Sequence, residues 1–233
     1  MRIFNKLISS HNDYKTSSFI AKFILFLPVI LSLLFGILLI IPRTRMFGIW
    51  LLEENKPVEL LTFFLFLFGG IYGFKFLFKI VKLKRRLTFF FYLIFSVSLT
   101  FLALEEIAWG QWFFSFDTPE YWKNINMQGE TTLHNLKGIQ GNMEIFRFLF
   151  GIGGICGIFF KGLPNFNDLR VPLFLILWFV IIIVHSVFDY ISDYIELKDG
   201  INFALSKFSE LIELFIAMSA ILYLILNNRR INN

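Results

Sequence analysis

The chain has 233 residues, of which 57% are hydrophobic and 19% aromatic with 33 phenylalanines, and its mean hydropathy is +0.69. A soluble domain keeps roughly half its residues apolar, so this composition excludes an ordinary water-soluble fold and predicts an all-α, polytopic membrane protein. The net charge of +5 does not indicate a nucleic-acid partner, because the basic residues collect in short clusters beside apolar runs; the lone Cys156 excludes an intrachain disulfide and argues against a thiolate metal site.

A helix needs about 20 apolar residues to cross a hydrocarbon core roughly 30 Å thick. By that measure six spans are predicted, at 19–41, 58–78, 87–106, 145–161, 171–190 and 203–226, forming one membrane domain over 1–233. The first run is too long for a signal-peptide core and has no small-residue exit, so it reads as a span. The fourth is short and carries Arg147 among Gly151, Gly153, Gly154 and Gly157, small residues that suit close helix packing.

Lysine and arginine in short loops resist translocation and so report orientation. Bases precede the first span (Arg2, Lys6, Lys15, Lys22) and separate spans two and three (Lys79, Lys82, Lys84, Arg85, Arg86). They recur at Lys161 and Arg170 and at Arg229 and Arg230, which predicts cytoplasmic termini. The remaining loops carry Glu53, Glu54, Asp117, Glu120, Glu130, Asp193, Glu196 and Asp199, with few bases apart from Arg43, Arg45, Lys56, Lys123, Lys137 and Lys198, and then face outward. The longest of them follows span three and is dense in Trp109, Trp112, Phe113, Phe114, Tyr121 and Trp122, as in an interfacial aromatic belt. Within it Asp117-Thr118-Pro119-Glu120 predicts the start of a short interfacial helix, capped by Asp117 or Thr118 with Pro119 in its first turn.

Under this topology the intramembrane acids collect at the outer ends of the spans. Glu59 opens span two, Glu105 and Glu106 close span three, His185 and Asp189 end span five, and Glu210 and Glu213 begin span six. Charges at such depth are costly and mark either a site or a buried pairing. His185, Asp189 and Asp193 share one helical stripe, Glu210 and Glu213 another, and Glu130 and His134 would meet on one short turn. Carboxylates with imidazole suit a divalent cation held between helices, which makes His134, His185, Asp189 and Glu210 candidate metal ligands. Crowded carboxylates can also share protons and act as general acid and base, the role assigned to Glu105, Glu106, Glu130 and His134. The competing structural readings are headgroup exposure or capture of Lys123 or Arg147 for the Glu105-Glu106 pair, a bonded core imidazole for His185, and favourable helix-dipole placement for Glu210 and Glu213. HExxH, GxSxG and P-loop motifs are absent.

The segment Glu105-Glu106-Ile107-Ala108-Trp109-Gly110-Gln111, with Thr118-Pro119-Glu120 and Gln128-Gly129-Glu130-Thr131-Thr132-Leu133-His134-Asn135, resembles a family of uncharacterised bacterial polytopic membrane proteins. The resemblance implies a bacterial inner membrane and carries no reaction with it. Zinc hydrolases of the alkaline-ceramidase and adiponectin-receptor type use three histidines between helices, a pattern from which this chain departs. The leading expectation is an enzyme acting on a lipid or lipid-linked substrate at the outer leaflet, with a divalent metal as candidate cofactor. Trp109, Gln111, Trp112, Gln128 and Asn135 are its expected substrate contacts. A cation- or proton-coupled transporter subunit and a non-catalytic scaffold are the alternatives. The absence of a visible repeat and the edge position of the charges disfavour a midplane transport site.

Overall fold

A computed structural model describes residues 7–133, 135–138, 142–192, 194–195 and 199–231, with backbone alone at Trp112 and Asp199. The helices among them are α1 (Ser18–Ile40), α2 (Pro42–Leu51), α3 (Pro57–Lys82), α4 (Arg86–Glu106), α5 (Gln111–Phe114), α6 (Glu120–Ile125), α7 (Met143–Phe159), α8 (Ile176–Ser192) and α9 (Asp199–Ile231). Among the described residues there is no strand, only an isolated bridge between Asn126 and Leu136. Among the described residues, five segments are long and apolar enough to cross a membrane: α1, α3, α4, the stretch Asn167–Ser192 that ends in α8, and α9. The expected fourth span is α7, which at 17 residues is shorter than these.

Local chemistry sets the helix ends. The Ser17 hydroxyl accepts from the Ile20 amide at 3.2 Å and caps α1. Pro42 and Pro57 open α2 and α3, where a missing N–H has no cost. Helix α2 was not expected from the sequence, because its ten residues mix Arg43, Thr44 and Arg45 with apolar ones.

Helix α9 is the most enclosed of the five and packs on α3 and α8; α3 pairs with α4, α7 with α8, and α1 with α8. Two seams of small residues permit the closest approaches. A methyl on Gly70 would lie 2.3 Å from Thr100 Oγ1 and one on Gly73 2.2 Å from Ser96 Oγ, so α3 and α4 meet backbone to backbone. On α7, a methyl on Gly151, Gly154 or Gly157 would strike Ile183, Phe179 or Val171, whereas one on Gly153 meets nothing within 4 Å. The packing role expected of the α7 glycines therefore holds for three and not for Gly153. Trp178 fixes α8 to α1 through Nε1 donating to Ile24 O at 2.9 Å. Large apolar side chains such as Leu33, Phe68, Phe90 and Ile94 are exposed on the bundle exterior, as a lipid-facing surface requires.

The two ends of the bundle differ in chemistry. At the end bearing the α3–α4 turn, Arg170 and Arg230 lie 5.5 and 5.7 Å from the Tyr14 ring centroid and Arg170 pairs with Asp13 at 2.9 Å. Burial raises the Tyr14 phenol above its ordinary value, with both guanidiniums opposing. Arg85 pairs with Asp168, whose carbonyl accepts from Tyr92 at 3.0 Å. The opposite end carries the long loop and most of the intramembrane acids.

Candidate functional site

Glu105, in the last turn of α4 and only 5% exposed, is a fastener for the loop. Its Oε1 accepts from Trp109 Nε1 at 2.5 Å and its Oε2 from the Leu133 amide at 2.7 Å, joining positions 28 residues apart. Between them the chain turns through Ala108, Trp109 and Gly110, all at positive φ (47°, 56° and 89°). Such backbone is strained for two of the three residues and persists because surrounding bonds hold it.

The other residues of the loop pattern are used in the same way. Gln111 donates to Thr118 Oγ1 at 2.7 Å and accepts from Thr131 Oγ1 at 3.2 Å; Thr131 Oγ1 also reaches Ala108 O at 2.9 Å. Asn126 Oδ1 accepts from the amides of Gln128 and Glu130 at 2.9 and 3.2 Å, and Asn126 Nδ2 donates to Thr132 O at 2.8 Å. Gln128 accepts from Asn135 Nδ2 and donates to Glu54 Oε1 at 2.8 Å, which ties the loop to the α2–α3 connection. The expected interfacial helix is α6, but Pro119 precedes it as the N-cap and no side chain caps it. The amides of Gln111, Gln128 and Asn135, expected as substrate contacts, thus have partners within the protein. Trp109 remains 42% exposed and packs edge-on against Phe101. His134, Asp193 and Glu196 lie outside the described residues, as does the side chain of Trp112.

Glu106, adjacent in sequence, has a different environment. The charges of Glu213, Glu210, Glu59 and Glu105 all act on it. Glu210 in turn interacts with Glu213, Glu59, Arg147 and Glu54, and Glu59 with Glu54, Glu213 and Glu130. The acids expected at one depth from α3, α4 and α9 are therefore mutual neighbours. Glu59 also accepts from the Asn55 amide, which places it at the helix entry.

Arg147, on α7, supplies a buried cation beside this cluster. Its Nη1 donates to Ser209 Oγ at 2.7 Å and to Asp189 Oδ2 at 3.1 Å, and its Nε lies 3.7 Å from Glu213 Oε1. Ser209 bridges to the same Asp189 oxygen at 3.3 Å. The guanidinium anticipated as a partner for Glu105 and Glu106 thus binds Asp189 and Ser209, joining α7, α8 and α9. Neither residue's part in this network was read from the sequence, although an arginine inside an apolar run is itself a signal that acids on other helices must face it. His185 stacks on Phe208 and its Nε2 is 3.2 Å from Leu205 O. Among the described residues, no group of three or more His, Cys, Asp or Glu is disposed to hold a metal ion.

Four carboxylates from three helices thus interact with one another beside one guanidinium, which pairs with Asp189 and Glu213. This arrangement can exchange protons with a substrate or bind a cation. Comparison with protein-family models, with curated proteins and with solved structures finds no match for the chain.

Proposed function

We propose that the protein is a six-span enzyme of a bacterial inner membrane, with cytoplasmic termini and the loop end outside, acting on a lipid or lipid-linked substrate. The observation that carries this reading is the position of Glu106 among Glu59, Glu210 and Glu213, beside an Arg147 already engaged by Asp189 and Ser209. In this scheme Glu106 is the general base and Glu210 the proton reservoir. The exposed face of Trp109 lies against the substrate at headgroup depth. Glu105 keeps the loop seated. Glu130 remains a second candidate base, since its charge acts on Glu59.

The same excess of acid over base favours one further reading, a proton- or cation-coupled transporter subunit. Lipid mass spectrometry of cells producing the wild type, Glu106→Gln or Glu210→Gln tests the first. A lipid species that changes with the wild type and reverts in both variants supports the enzyme. Unchanged lipids, together with a proton or cation flux in proteoliposomes that either variant abolishes, support the transporter. If folded variants alter neither, the acids are structural.

A further inference from the structure

A cavity of about 530 Å³ lies apart from the carboxylate cluster, between the end of α1, the start of α2, α8 and the first turns of α9. Its size falls within the roughly 300–1,000 Å³ of small-molecule sites. Leu39, Ile40, Phe203 and Phe208 are among its apolar walls, and the polar side chains lining it are those of Arg45 and His185. Ile40 and Phe203 are 72% and 47% exposed, so the apolar lining continues onto the lipid-facing surface rather than ending in a polar rim. A soluble polar ligand would find few partners there, whereas an acyl chain could enter from the bilayer.

Arg45 specifies the rest of the occupant. It is exposed and uses Nε to donate to Leu39 O at 2.9 Å. Among the described residues no carboxylate pairs with its terminal nitrogens, which leaves a planar donor fork of the kind that binds phosphate. His185 closes the wall: its ring is 7% exposed and stacks on Phe208, and its Nδ1 is buried out of reach of the cavity.

We infer that this cavity is a binding site for one glycerophospholipid, its chain along α1 and α9 and its phosphate on Arg45. The site stands whether or not the carboxylates catalyse anything.

The test is native mass spectrometry of the full-length protein, first as purified and then after delipidation and addition of phosphatidylglycerol, phosphatidylethanolamine or diacylglycerol. One phospholipid should remain through purification and rebind, with diacylglycerol bound at least about tenfold more weakly, the loss of one charge-assisted contact. Arg45→Gln, at an exposed position, should weaken phospholipid by a similar factor. Ala204→Trp, which fills the cavity, should abolish binding. Equal binding of diacylglycerol, displacement by millimolar inorganic phosphate, or wild-type retention by Arg45→Gln or Ala204→Trp at unaltered melting temperature would each overturn the assignment.

Discussion

Removing the Glu105 carboxylate separates a loop-holding role from a chemical one. The side chain receives two donors on two different oxygens, Trp109 Nε1 on Oε1 and the Leu133 amide on Oε2. A glutamine there has one acceptor oxygen, so in either orientation one donor faces an NH2 group. Hydrogen bonds to charged groups contribute about 1.5–3 kcal/mol each. Glu105→Gln should therefore loosen the loop by about that amount, and Glu105→Ala by up to about twice it, less whatever the two bonds share as parts of one network. Hydrogen exchange read by mass spectrometry on peptides covering 126–136 is the assay. At about 1.4 kcal/mol per factor of ten, exchange at Leu133 should accelerate by roughly ten- to more than a hundredfold in the alanine variant, with glutamine between it and wild type. Protease nicking of the loop should rise in the same order. Wild-type exchange and nicking in Glu105→Ala, accompanied by loss of a lipid phenotype, would refute the fastening role and return Glu105 to the chemistry.

The Arg147 network should behave as a buried ion pair. Arg147→Met alone should lower stability by about 3–5 kcal/mol, because it strands Asp189 and Glu213, and Asp189→Leu combined with it should recover part of that loss; detergent unfolding titrations measure the cycle. Gly154→Ala forces a methyl into the Phe179 ring at 2.2 Å and should cost about 1–3 kcal/mol by thermal melting. Gly153→Ala, with nothing within 4 Å, should be neutral or stabilising by up to about 1 kcal/mol because alanine favours helix. For orientation, Ile125→Cys in a Cys156→Ala background should react in intact cells with a membrane-impermeant thiol reagent at the α6 end of the loop. Absence of labelling until the cells are opened would invert the proposed topology.

The elements legible in the sequence were those set by one-dimensional patterns. Apolar run length located α1, α3, α4, α8 and α9, and the Pro119-Glu120 signal located α6. The fourth expected span coincides with α7, a 17-residue helix that its glycines let sit tightly against α8. The seam of Gly70 and Gly73 against Thr100 and Ser96 carried the same small-residue signature and could have been read by the same rule. For the site, convergence of acids at one end was legible because helix direction alternates. Which acid has a partner was not, since it depends on rotation about each helix axis. Glu105 and Glu106 are one residue apart, a turn of about 100° on a helix, and that angle sends the first toward Trp109 and Leu133 and the second toward Glu59, Glu210 and Glu213.

That rotation also divides the residues of the loop pattern by environment. Glu105, Gln111, Gln128 and Asn135 have side-chain hydrogen-bond partners in this loop, and Trp109, Gly110 and Gly129 adopt positive φ. Buried loop backbone without strand or helix partners must find side-chain acceptors and donors, so a long loop packed onto a membrane bundle concentrates such residues for structural reasons. Glu106 belongs to the same pattern yet faces Glu59, Glu210 and Glu213 across helices. In a bundle assembled from apolar spans, a polar residue that faces others across helices is thereby set apart from motif neighbours held in local hydrogen bonds.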